Sequence, residues 1–182
     1  MNRLHKKYNE EVRPALMKEL GYTNVHQIPR IEKVVINAGV GRATADSKHL
    51  ETVGHTVAKI SGQAPVQTVA KKSIAGFKLR DGNKIGVMVT LRGERMYAFL
   101  DRLVSVALPR IRDFRGLSEK AFDRQGNYSI GVREQSIFPE LSFEETSTPH
   151  SLQVNIITTA DKPEDSRKLL ELMGFPFRRQ NG

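Results

Sequence analysis

The chain has 182 residues, 38% of them hydrophobic, which suits one compact domain with a buried core and excludes global disorder. It carries 29 Lys and Arg against 20 Asp and Glu, a net charge of +9 and a pI near 9.9, the balance of proteins that meet nucleic acid and, less often, anionic membranes. With no cysteine it can build neither a disulfide framework nor a thiolate zinc site.

In chain order, residues 1–14 lack the apolar run of a secretory signal. Leu4, Tyr8, Val12, Leu16 and Leu20 recur at a spacing near four and predict a helix over 3–20, which Pro14 either kinks or restarts and Gly21 stops. RIEKVVIN at 30–37 predicts a strand with Val34 and Ile36 on one face and Lys33, Val35 and Asn37 on the other. After a loop containing Gly39 and Gly41, Asp46 or Ser47 caps a helix with an inward stripe of Leu50, Val53, Val57 and Ile60 and an end at Gly62. PVQTVA at 65–70 and IGVMVTLR at 85–92 predict two strands, joined through the segment 71–84 into a long hairpin that turns near Asp81-Gly82-Asn83. In the second of these strands Ile85, Val87, Val89 and Leu91 share one face, and Gly86, Met88, Thr90 and Arg92 the other.

A helix over 94–108 turns Met96, Phe99, Leu100, Leu103, Ala107 and Leu108 inward and ends at Pro109. The arm 110–124 is mixed in charge and irregular, and 127–133 reads as a strand. From 134 to 149 the chain turns acidic and loop-like, with Phe138, Pro139 and Phe143 exposed or half-buried. A strand over 152–159 follows, and then Asp161 and Pro163 open a last helix that buries Leu169, Leu170 and Met173 before Gly174. The sum is an α+β fold in a single domain spanning 1–182. A mostly antiparallel sheet of about five strands has helices packed on one face and a long projecting β-hairpin loop, and its other face is left for a partner. The longest apolar runs, such as 85–89, fall far short of the ~20 residues of a membrane span, so a soluble cytoplasmic protein with no membrane partner is expected.

Enzymatic signatures fail one by one. In VVINAGVGRATADSK the dinucleotide pattern needs a third Gly or Ala where Thr44 stands, and the Gly-Lys-Ser/Thr of a phosphate loop is missing. His5, His26, His49, His55 and His150 include no pair at the three- or four-residue spacing of helical metal ligands. Glu140, Glu144 and Glu145 lie on a Pro- and Ser-rich stretch that suits a solvated loop or a protein contact better than a catalytic pair. No catalytic residue, metal or cofactor is expected.

One window stands out. No acidic residue falls between Glu51 and Asp81, while Lys59, Lys71, Lys72, Lys78 and Arg80 do, with Lys84 just beyond. A run of like charge is usually a solvated face, but this one also carries Ile74, Phe77 and Leu79, which a merely solvated loop does not need. One-signed charge releases counterions from phosphates and gives affinity without sequence choice. RNA adds 2′-hydroxyls and unstacked bases, which polar and stacking side chains can read. Asn37, Gln63, Thr68, Thr90 and Arg92 suit that task, although the same residues would also suit a water-facing sheet. Phe77 either stacks on a base or ribose, or packs on Ile74 or Leu79.

VAKISGQAPVQTVAKKS at 57–73 resembles the signature of the large-subunit ribosomal protein family that carries 5S rRNA, the L-five family, in its bacterial form. The resemblance continues through IEKVVINAGVG, SIAGFKLRDGNKIGVMVTLRG and FPE. It implies a non-catalytic constituent of the large subunit that attaches 5S rRNA to the central protuberance through its concave sheet face. By position, Lys33, Asn37, Gln63, Thr68, Thr90 and Arg92 take that role. It further implies that the hairpin tip, with Lys72, Ser73, Phe77, Lys78 and Arg80, reaches the P-site tRNA. The other partners implied are 23S rRNA, neighbouring large-subunit proteins, and a small-subunit head ribosomal protein bridged through 110–149. The alternative, a free-standing RNA chaperone, would use the same basic surface transiently.

Overall fold

The computed structural model describes residues 2–41 and 47–178. Period-two hydrophobicity dictates the sheet. β1 (Ile31–Gly39), β2 (Val66–Val69), β3 (Lys84–Leu91), β4 (Tyr128–Val132) and β5 (Leu152–Thr158) form one antiparallel sheet in the order β2-β3-β1-β5-β4. Alternate side chains enter the core: Val34, Ile36 and Ala38 from β1, Val87, Val89 and Leu91 from β3, Tyr128, Ile130 and Val132 from β4, and Leu152, Val154 and Ile156 from β5. The expected α+β class holds, and the five predicted strands are all present.

Packing divides the chain into two units. One comprises Met1–Val34, Arg92–Ile130 and Asn155–Gly182; the other comprises Val35–Leu91 and Gly131–Val154. In the second unit α3 (Ser47–Ser61) packs against β3 and buries the predicted stripe Leu50, Val53, Val57 and Ile60. Gly62 then leaves the helix at φ +69°, the left-handed conformation that glycine adopts without a Cβ penalty. Asp46, one of the two expected caps of α3, and Thr44 lie outside the described residues.

The first unit accommodates two prolines in the same way. α1 (Arg3–Lys7) passes through a π-helical turn at Tyr8–Val12 into α2 (Arg13–Glu19), which opens with Pro14 in its first turn, so the expected restart takes the form of a widened turn within the helical path. Proline lacks the N–H that would bond the carbonyl four residues back, and its ring presses on that carbonyl. Here that carbonyl belongs to Glu10, in the middle of the widened turn, which absorbs the clash. The arrangement repeats after α4 (Gly93–Arg102): a π turn at Leu103–Ala107 centres on Ser105, four residues before Pro109. Pro109 therefore does not end the helical path, which continues as a 3₁₀ turn over Leu108–Arg110. The stripes Leu4, Tyr8, Val12, Leu16 and Met96, Phe99, Leu100, Leu103, Ala107, Leu108 are buried as expected. α1 and α4 lie together, with Arg3 Nη2 2.6 Å from Asp101 Oδ1 and 2.8 Å from Ser105 Oγ. α6 (Pro163–Leu172) starts with proline in its first turn and buries Leu169 and Leu170. Its N-cap is Lys162 rather than Asp161, with no side-chain capping bond.

The acidic stretch of the second unit is more ordered than its composition predicts. Phe138 is 2% exposed and belongs to the core, whereas Phe143 is 89% exposed at the start of α5 (Phe143–Thr146). Ser142 and Glu145 form a reciprocal capping box at that helix. Gln135, wholly buried, donates from Nε2 to the Glu145 and Thr148 carbonyls at 3.3 and 2.9 Å and accepts at Oε1 from the His150 N–H at 2.9 Å. One amide thus ties together three part-buried backbone groups of this stretch.

At the other end of this unit, β2 pairs antiparallel with β3, Val66 opposite Met88 and Thr68 opposite Gly86, with a bulge between Thr68 and Val69. A Cβ at residue 86 would lie 2.6 Å from Thr68 Oγ1 and 3.0 Å from the Ala38 carbonyl oxygen. Gly86→Ala is expected to destabilise the protein by about 1–3 kcal/mol through overpacking. Thr68→Ala in the same background should return part of the loss, because the nearer clash is with a side chain. Urea unfolding of the two single variants and the double variant reads the coupling.

Candidate nucleic-acid interface

Since Val87, Val89 and Leu91 point into the core, the alternate residues of β3 face outward. In the second unit this outer surface carries Val35 and Asn37 of β1, Thr68 of β2, and Met88 and Thr90 of β3, all half-buried or exposed. Val66 and Met88, a cross-strand pair, are 66% and 36% exposed, so apolar surface sits among the polar groups. Gln63, one residue past Gly62, donates from Nε2 to the Thr90 carbonyl at 3.1 Å. Its own N–H is donated to Ser61 Oγ at 3.3 Å. Its amide oxygen is thereby oriented while remaining an acceptor. Asn37 also lines a shallow depression with Gly39, Gly131, Arg133, Ser151 and Gln153.

Two expected contact residues, Lys33 and Arg92, belong to the first unit. Arg92 is exposed, and its Nη1 lies 3.4 Å from Glu32 Oε1, an ion pair open to water and correspondingly weak. Lys33 is half-buried.

The hairpin tip closes on itself. Ile74 and Leu79 exchange backbone bonds at 2.9 and 3.1 Å around a 3₁₀ turn at Ala75–Phe77. Lys78 follows at φ 52°, an uncommon left-handed position for a residue with a Cβ. Ser73 Oγ accepts from the Asp81 N–H at 2.9 Å, and the Ala70 carbonyl accepts from the Gly82 N–H at 3.0 Å. Lys71, Lys72, Lys78, Arg80 and Lys84 are exposed, and no ion pair among the described residues neutralises them. Phe77 is 74% and Ile74 45% exposed, so Phe77 is not packed away under the turn.

Lys59 belongs to the same acid-free window but has a different environment. Its Nζ lies 2.5 Å from Glu145 Oε1, and His55 Nδ1 lies 3.4 Å from the same oxygen. The Lys59 ammonium, with the Ser142 N–H, holds the Glu145 carboxyl down at about 2. The window therefore divides into a neutralised helical part and an unneutralised tip. Sequence reasoning missed Glu145 as the partner of Lys59, and also Gln153, Arg133 and Gly131 on the outer surface. The alternation of LQVNIITT and NYSIGVR, with Gln153, Ser129 and Gly131 out of phase with the apolar residues, carried the signal for that surface.

An α+β chain that leaves a polar sheet surface uncovered, and holds a hairpin of unpaired cations, has the features of nucleic-acid-binding proteins rather than of small-molecule enzymes. Residues 24–80 match the family profile described as Ribosomal protein L5, and residues 84–177 match that of the C-terminus of the ribosomal L5 family. The chain belongs to this family. It is 54% identical over 175 residues to the large ribosomal subunit protein uL5 of Synechococcus sp. (strain RCC307), covering 96% of this chain and 98% of that protein. It is 55% identical over 175 residues to the protein of the same name from Synechococcus sp. (strain JA-2-3B'a(2-13)), covering 96% and 97%.

The Lys59–Glu145 pair makes a pH prediction. Folding lowers the Glu145 pKa from 4.5 to about 2, so the pair's contribution is complete above about 4.5 and is lost as pH falls towards 2. In Lys59→Ala the Glu145 carboxyl should titrate closer to its ordinary value, as read by NMR of the side-chain carboxyl carbon.

Proposed function

We propose that this chain is a structural constituent of the large ribosomal subunit that binds 5S rRNA and attaches it to the central protuberance. The observation that supports this most directly is an uncovered polar sheet surface beside a folded, unneutralised basic hairpin, in a chain 54% identical to a protein named for the large subunit. In this reading Asn37, Gln63, Thr68 and Thr90 of one unit, and Lys33 and Arg92 of the other, contact 5S rRNA. The bond from Gln63 to the Thr90 carbonyl supports a preset acceptor, which suits recognition of ribose hydroxyls. Lys72, Ser73, Phe77, Lys78 and Arg80 contact the P-site tRNA. Here Ser73 acts through the backbone, since its hydroxyl fixes Asp81, while Phe77 and the cations present themselves to solvent. Segment 110–149, with the exposed Phe143, contributes to a bridge with a small-subunit head protein.

The purified protein should prefer 5S rRNA to tRNA. About five phosphate contacts give a slope of log K against log salt of roughly −3 to −5. Equal affinity for the two RNAs at matched salt would refute the assignment.

Replacing Lys72, Lys78 and Arg80 together with Ala should leave 5S affinity within about twofold, because surface changes away from an interface are near neutral. It should still impair translation by ribosomes carrying the variant. A filter-binding titration and a translation assay on the same preparation separate the two surfaces, and a parallel loss of 5S affinity would assign the tip to 5S rRNA instead.

A further inference from the structure

The first unit contains a concavity that none of these roles uses. It is lined by α1, the π turn, the first residue of α2, the chain before β1 and the starts of β1 and α4, with Arg13, Arg30, Asn9 and His26 around its polar side. Its floor is aromatic. The His5 ring stacks on Tyr97 at 4.4 Å with the planes 4° apart, and Tyr8 lies against Tyr97 at 6.4 Å.

Its polar groups are unspent. Among the described residues no ion pair or hydrogen bond engages the guanidinium of Arg13 or Arg30, or the side chain of Asn9 or His26. Tyr8 donates its hydroxyl to the Pro29 carbonyl at 3.0 Å. Tyr97 is 6% exposed, and its hydroxyl makes no hydrogen bond to a described residue. Burial pushes the Tyr97 phenol up to about 12, so it stays protonated and able to donate well above neutral pH. Of the two carboxylates nearby, Glu94 is engaged by His5 Nδ1 at 2.6 Å and by the Asn2 N–H at 2.8 Å. Glu32 lines the concavity and pairs with Arg92.

A hollow rich in unpartnered donors, two of them permanent cations, over a flat aromatic floor matches a phosphate joined to a planar base. We propose that this concavity binds a single-stranded RNA nucleotide, with Arg13 and Arg30 on its phosphate and its base against the exposed side of His5. The site shares no residue with those assigned to 5S rRNA and tRNA, although Glu32 and Gly93 adjoin Lys33 and Arg92, and it does not rest on those assignments.

The full chain is titrated with a hexamer of adenylate, with adenosine 5′-monophosphate and with inorganic phosphate, following His5 and Tyr97 resonances by NMR. The hexamer should shift both rings, the mononucleotide should shift them more weakly, and phosphate alone should leave the His5 ring resonances unshifted. Arg13→Gln with Arg30→Gln should weaken hexamer binding about tenfold and lower its log–log salt slope by about 0.7, the share of one phosphate on a single strand. Tyr97→Phe, which removes only the hydroxyl, should cost a few-fold and retain the ring shifts. The tip variant lacking Lys72, Lys78 and Arg80 should bind the hexamer at this site unchanged. The proposal is overturned if phosphate reproduces the full response, if the arginine variant binds normally, or if the hexamer shifts only tip resonances. Wild-type 5S affinity, measured in parallel, reports on the proposed function alone, so failure of either reading is seen without the other.

Discussion

Everything the sheet presents to solvent follows from the parity of β3. With Val87, Val89 and Leu91 committed to the core, Gly86, Met88 and Thr90 must face outward. A slip of one residue would exchange the two sets and bury Thr90 while exposing three aliphatic side chains. The close approach of Thr68 and the Ala38 carbonyl to Gly86 makes that parity steric as well as hydrophobic, since only glycine leaves room there. The Gln63 amide is aimed by the Thr90 carbonyl, so its direction depends on the same register.

Electrostatics then sorts cations into two populations. Arg3, Lys59, Arg167 and Lys168 are paired with Asp101, Glu145, Glu119 and Glu19 across long sequence separations, where they fasten elements of the fold. Among the described residues the cations of the hairpin tip have no such partners, and neither do Arg13 and Arg30. The acid-free run between Glu51 and Asp81 places part of the +9 net charge on one hairpin, which is the condition for a strong local field there.

Much of the fold could be read from the sequence because it rests on periodicity and on glycine. The stripes of α3 and α4 and the ends at Gly21, Gly62 and Gly174, all at positive φ, follow from local rules. The π turns did not, because proline alone does not say whether a helix will break or widen; that is decided by the packing of Tyr8, Val12, Leu103 and Ala107 on either side. Phe138 was misread because Pro and Glu around it suggest a loop, whereas the buried Gln135 amide folds that loop over a core. For the candidate interface, strand alternation placed Asn37 and Thr90 on the side away from the core. It could not show that Lys59 is neutralised by a glutamate 86 positions away, a fact of tertiary structure.

The self-bonded tip has a kinetic meaning. Its backbone is already fixed by the Ile74–Leu79 pair, the Ala75–Phe77 turn and the Ser73 and Ala70 bonds. A partner that docks there does not have to wait for a loop to order, and the entropy lost on contact is confined to a few lysine and arginine rotamers. Encounter with such a tip is governed by long-range attraction and departure by the loss of a few salt-sensitive contacts. That combination favours brief, repeated visits over permanent capture.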